Sequence, residues 1–161
     1  MKFLAYFRPN RELSNLILRQ NHIVLPSLGL HSTLCFFYME PRQEGKLVSD
    51  LSKIRFNPFE IETKDFDDFN KDSLVLKLSC SDELLQLHKK IVAVARNYAN
   101  SEFDVIARQY FGDNYNPHLT ISKSSSGFDR VSKELIDRKD IIARYSLAKK
   151  LGGTWKEIQT F

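Results

Sequence analysis

Little in this chain of 161 residues suggests that anything other than packing holds it together. It has only two cysteines, Cys35 and Cys80, in apolar strand-like runs and without a C-x-x-C spacing. That excludes a disulfide framework and reads as reduced thiols, so a cytoplasmic location is expected. No window approaches the roughly 18 apolar residues of a membrane span. The opening "MKFLAYFRPN" has too short an apolar run for a signal peptide before it turns polar. Linkers, low-complexity tracts and long charge blocks are missing as well. The one small-residue cluster, "KSSSG" at 123–127, reads as a loop.

What is there fits one domain over residues 1–161. Hydrophobic residues make up 42%, enough for a sizeable core, and the aromatics are twelve Phe and six Tyr against a single Trp. The formal net charge of +4 suits phosphate-bearing partners, and equally an ordinary solvated surface.

Patterning gives an alternation of strands and helices. "KFLAYF" reads as a strand, ended by Pro9 and Asn10, with Asn10 capping a helix to Gln20 whose apolar face holds Leu13, Leu16 and Ile17. "LHSTLCFFYM" reads as a strand, and "QEGKLVSDLSKI" as a helix with Leu47, Leu51 and Ile54 in its stripe. "FEIETKDF" and "LVLKLSC" follow as strands, with a turn at Asn70–Asp72 between them. Ser81 caps a long helix presenting Leu84, Leu87, Ile91 and Ala95. The stretch "DVIARQYFGDNYNP" ends loop-like, "HLTISK" is a strand and "GFDRVSKELI" a short helix. "RYSLAKKLGG" and "TWKEIQTF" close the chain as a hairpin or a pair of edge strands, with Gly152 and Gly153 at the turn. Strand-and-helix units in both halves indicate an α+β fold.

Two short segments carry chemistry. "LGLHSTLCFFY" places His31 two residues before Thr33, and "PHLTISK" places His118 two residues before Thr120. On a strand, residues two apart share a face. Each segment therefore presents an imidazole and a hydroxyl together, while Leu34 and Ile121 turn to the core. Two such strands facing one cleft suit phosphoester chemistry. One neutral imidazole takes a proton from the attacking oxygen, and the other, protonated, gives one to the leaving oxygen. The threonine hydroxyls donate to phosphoryl oxygens. For one direction of reaction we assign His118 as base and His31 as acid. Lys123 adds charge three residues after the second motif.

"HSTLCF" and "PHLTIS" resemble the paired H-x-T-Φ motifs (Φ apolar) of the two-histidine phosphoesterase superfamily, closest to its 2′-5′ RNA ligase-like and cyclic phosphodiesterase branch. "KFLAYF" with its helix, and "FEIETKDFDDFNKDSLVLKL", are similar to other parts of that branch, and Phe36 falls where it often has Phe. The resemblance implies a bilobal, pseudo-twofold fold, mostly of antiparallel sheets with flanking helices, one motif per lobe and a central cleft. It implies a phosphoesterase of 2′,3′-cyclic or 2′-5′ phosphodiesters in RNA or nucleotides, including reversible ligation, with no metal or cofactor. His31, Thr33, His118 and Thr120 are the implied catalytic set. RNA ligase-like members often have Arg at the place of Lys123, and lysine keeps the charge without the bidentate fork.

Other residues divide between packing and recognition. His22 reads as a loop or cap residue, and His88 as a boundary residue on the apolar stripe of the long helix. Of Tyr38, Tyr110, Phe111, Tyr115 and Phe128, Tyr115 is the best candidate to stack on a base, from the polar loop before His118. Arg108, Arg130, Lys133, Arg138 and Lys139 are too scattered to form a stripe. The competing reading is a module that binds a nucleotide or RNA end in the same cleft without turnover. The expected partners are RNA ends or cyclic or 2′-5′-linked nucleotides; no membrane is expected, and the protein is expected to be a monomer.

Overall fold

Alternating burial and two side-chain caps lay out the elements. The computed structural model describes residues 1–20, 25–69, 73–122 and 133–161. The strands are β1 (Lys2–Phe7), β2 (Ser32–Tyr38), β3 (Phe59–Phe69), β4 (Ser73–Leu78), β5 (His118–Ser122), β6 (Lys139–Ile142), β7 (Ser146–Leu151) and β8 (Thr154–Thr160). The helices are α1 (Arg11–Leu18), α2 (Glu44–Leu51), α3 (Asp82–Arg96) and α4 (Phe103–Tyr110). The Asn10 side chain accepts from the Leu13 amide at 2.8 Å to start α1, and Ser81 Oγ accepts from the Leu84 amide at 3.3 Å to start α3. A buried aspartate ties one cap to the other sheet: Asp140 Oδ2 on β6 accepts from the Asn10 amide at 2.7 Å.

The strands form two antiparallel four-stranded sheets, ordered β2-β1-β7-β8 and β5-β4-β3-β6. β2 and β5 are edge strands, and these two edges approach each other. One core cluster joins Phe3 and Phe7 of β1, Leu34 and Phe37 of β2, Leu76 of β4 and Leu119 of β5 to Leu47 of α2 and Leu87 of α3. The helices therefore cover one face of the sheets. On the opposite face of the first sheet lies a smaller cluster of Leu4, Tyr6, Leu28 and Ala148, with Phe36 and Trp155 packed against it.

The α+β fold is as expected, and so is the hairpin β7–β8, where Gly152 and Gly153 have φ of +56° and +87°. A two-residue hairpin loop needs such angles, which side chains with a Cβ resist. Two elements differ from expectation. α4 occupies a stretch expected to run into a loop, and β6 was not expected. The turn at 70–72, the whole "KSSSG" loop and residues 127–132 of the expected helix lie outside the described residues; Lys133–Leu135 form a 3₁₀ turn. Cys35 is buried and Cys80 exposed, both free. Among the described residues no helix is long and apolar enough to cross a membrane.

Candidate active site

Both motifs sit at the start of an edge strand, and both have the same local geometry. His31 directly precedes β2, and His118 begins β5. From each histidine onward the burial runs half-buried, buried, half-buried, buried, buried. His31 and Thr33 thus share an open face, as do His118 and Thr120, while Ser32, Leu34, Leu119 and Ile121 are buried.

The doubled buried position comes from a slip in register. β1 pairs Ala5 with Cys35 and then Tyr6 with Thr33, so Leu34 is an extra residue on β2. β4 pairs Leu74 with Ser122 and then Val75 with Thr120, so Ile121 is an extra residue on β5. The aliphatic residue after each threonine is therefore a bulge residue, and a bulge inverts the facing of everything beyond it. On β2 that brings Phe36 and Tyr38 onto the same open face as His31 and Thr33.

Each imidazole is held by the carbonyl two residues before it. His31 Nδ1 donates to Gly29 O at 2.8 Å, and His118 Nδ1 donates to Asn116 O at 2.8 Å. A carbonyl only accepts, so Nδ1 carries the hydrogen and Nε2 is the nitrogen that gains or loses a proton. Burial lowers the pKa of both below the ordinary histidine value, and the carbonyls offset part of that. His31 is lowered further by the positive charges of Arg8 and of His118, so the two imidazoles sense each other.

A cation from the neighbouring strand stands beside each histidine. Lys77 is the registered partner of His118, and one step beyond the last β1–β2 pair, Phe7–Ser32, brings Arg8 level with His31. Each cation has a carboxylate: Lys77 Nζ lies 2.7 Å from Asp67, and an Arg8 nitrogen 3.6 Å from Glu157. Arg8 also donates to Leu28 O at 2.7 Å, which fixes the loop that carries Gly29. Neither cation stood out in the sequence, because each is a lone basic residue at the end of an apolar strand.

Behind the motifs, His88 joins the two halves. It is fully buried, not at the boundary as expected, because both its nitrogens find backbone partners. Nδ1 donates to Leu34 O at 2.7 Å, and Nε2 accepts from the Gly112 amide at 3.1 Å. Its ring stacks on Tyr115 at 3.9 Å and 8°. Tyr115 in turn donates its hydroxyl to Thr33 O at 3.2 Å, and burial pushes that phenol's pKa up. One face of Tyr115 is thus committed to the scaffold.

A cleft of about 570 Å³ opens beside the pair, lined by Thr33, Phe36, Tyr110, Asn114, Tyr115 and His118. That is the size of a small-ligand site. Phe36 meets Tyr110 at 5.7 Å and Phe111 edge-on at 5.8 Å. Lys123, His22, Phe128 and Arg130 lie outside the described residues. Among the described residues no group of three or more His, Cys, Asp or Glu is placed to hold a metal ion.

Comparison with known proteins follows the same lines. A family model described as the 2′-5′ RNA ligase superfamily matches residues 18–140. Among solved structures, TT0787 of Thermus thermophilus superposes with a TM-score of 0.76 at 18% identity, covering 100% of this chain and 97% of that one. E. coli LigT complexed with phosphate gives 0.70 at 13% identity, over 99% of this chain and 95% of that one. Usb1 of Kluyveromyces marxianus gives 0.54 at 10%, over 97% and 96%. At these identities the likeness to each is one of fold. No curated protein matches the sequence.

Proposed function

Because the chain belongs to the 2′-5′ RNA ligase superfamily, we propose that it is a phosphoesterase that opens 2′,3′-cyclic phosphates or cleaves 2′-5′ phosphodiesters of RNA or nucleotides by paired histidine acid–base catalysis. The observation that carries this reading is the matched pair of imidazoles, each with Nδ1 tied to a carbonyl at 2.8 Å, which makes Nε2 the titrating nitrogen in both. In hydrolysis of a cyclic phosphate, water attacks phosphorus and one imidazole takes its proton. The bond from phosphorus to one ribose oxygen breaks, and the other imidazole protonates that oxygen. Ligation runs the same steps backwards with the roles exchanged.

The charges around the pair support an assignment for hydrolysis. Arg8 disfavours a proton on His31 and is not among the causes that lower His118. His31 is then the base and His118 the proton donor, the reverse of the order assigned from sequence. Thr33 and Thr120 donate to the phosphoryl oxygens, with Arg8 and Lys77 supplying positive charge nearby. Phe36 and Tyr110 offer aromatic surface for a base.

The test is turnover of 2′,3′-cyclic nucleotides and of RNA oligomers ending in a 2′,3′-cyclic phosphate, with EDTA present. His31→Ala and His118→Ala should each lose about 10²–10⁴ in rate. The pH profile of kcat/KM should be bell-shaped and centred on the acid side of about 6.5, because both imidazoles are lowered. Turnover that survives either substitution would refute the mechanism, and binding without turnover would indicate a binding module.

A further inference from the structure

The open face of the first sheet continues past the catalytic end. Register places Leu4 opposite both Phe36 on β2 and Ala148 on β7, and Lys2 opposite Tyr38. Lys150 pairs with Trp155 of β8. At this end of the sheet, Lys2 Nζ lies 4.9 Å from the Phe36 ring centre and 5.8 Å from that of Tyr38. Lys150 Nζ lies 6.0 Å from that of Trp155. The two ammonium groups repel: burial and then the charge of Lys150 lower the pKa of Lys2.

These two lysines differ from Lys149 of the same sheet. Lys149, one residue away and on the helix-covered face, is bound by the Glu44 carboxylate at 2.7 Å. Lys2 and Lys150 make no ion pair among the described residues. Two repelling cations held over aromatic rings form a surface that an anionic chain with flat bases would complete. Phosphates would take the ammonium groups, freeing the ring faces for bases. A cation–π contact at an exposed site is worth about 0.5–1 kcal/mol, less than the 1–3 kcal/mol of a base stacked on an aromatic side chain.

We propose that Lys2, Lys150, Tyr38 and Trp155 form a subsite for the body of a single-stranded RNA whose end lies at His31 and His118. This rests on the phosphoesterase reading and extends it to a polymeric substrate. From Thr33 to Tyr38 the strand runs alongside Tyr6 to Lys2, four steps of about 3.3 Å or about 13 Å in all, a distance of several nucleotides at the axial rise of about 3.4 Å per nucleotide of a stacked strand. Phe36 lies between, so the track from the histidines to the lysines is continuous.

The experiment compares a 2′,3′-cyclic mononucleotide with a short single-stranded RNA bearing the same end. The doubly substituted protein Lys2→Gln, Lys150→Gln should raise KM for the oligomer about tenfold. It should leave kcat/KM for the mononucleotide unchanged. The slope of log affinity against log salt should shrink by about 0.7 for each lost phosphate contact. Lys156→Gln is the control. It removes the same charge beside Trp155 but sits opposite Lys149, on the other face. An oligomer KM and salt slope that stay at their original values would overturn the subsite, as would an equal loss in the Lys156 control. If the unaltered protein turns over neither substrate, the catalytic reading fails. Equilibrium binding of the same oligomer to the same variants then still decides the subsite, by the same two criteria.

Discussion

Residues 2–38 and 73–122 are two versions of one arrangement. Each runs strand, side-chain-capped helix, then a motif strand that pairs antiparallel with the first strand and forms the sheet's edge. Each motif strand carries the same bulge after its threonine, and each histidine binds the carbonyl two residues back. The two differ in what joins helix to motif. In the first half, residues 19–31 make that link. In the second, residues 97–117 include α4 and a 3₁₀ turn, and from there come Tyr110, Asn114 and Tyr115, which wall the cleft. The proton-transfer apparatus is thus present twice, whereas the cleft beside it is walled mainly by the second half.

The strongest way to break this comparison is to remove both histidines together. If the two halves serve one reaction, the double variant His31→Ala, His118→Ala should lose scarcely more than the worse single variant, about 10²–10⁴ in kcat. Multiplying losses would mean that the halves act independently. The joint between them comes next. His88→Phe keeps a ring against Tyr115 but strands the Leu34 carbonyl and the Gly112 amide. A buried group left without its partner costs about 1–3 kcal/mol, so urea unfolding should shift by that much and kcat should fall with it. Unchanged kcat would show that His88 serves packing alone.

How much of this was legible depends on the range of each interaction. The histidine–threonine pairs, the caps at Asn10 and Ser81 and the glycine hairpin are local patterns, and all stand where the sequence put them. The bulges are not local in that sense. Strict alternation from Thr33 would send Phe36 to the core, and only the register against β1 puts it on the open face. Arg8 and Lys77 were missed because strand pairing, not spacing, sets them beside the histidines. α4 was hidden because its N-cap Glu102 makes no side-chain capping bond and only Phe103 is buried. β6 has four residues at a sheet edge, too few for alternation to stand out.

Acid titration sharpens the comparison further. His31, His88 and His118 all have lowered pKa values in the fold, so the unfolded chain binds more protons below about 6.5. Their contribution to stability is fully present above that value and is lost as the pH falls through the folded pKa values, at up to about 1.4 kcal/mol per unit for each group. His31→Ala should flatten this slope more than His118→Ala, since Arg8 adds to burial only at His31. Equal flattening would remove the electrostatic ground for treating His31 as the base.

The smallest effect separates the loops that feed the two imidazoles. Gly29, whose carbonyl holds His31, has φ of +75°, and a Cβ there would lie 3.4 Å from an Arg8 nitrogen. Asn116, its counterpart for His118, has no positive φ. Gly29→Ala should therefore cost about 1 kcal/mol of stability through the left-handed backbone. It should also lower kcat several-fold, because Arg8 and the His31 carbonyl must shift together. Asn116→Ala leaves the backbone carbonyl and its φ in place, so it should change neither quantity by more than a fraction of that. If the two substitutions prove equivalent, the first imidazole does not depend on the Arg8-braced turn, and the two halves are more alike than their loops suggest.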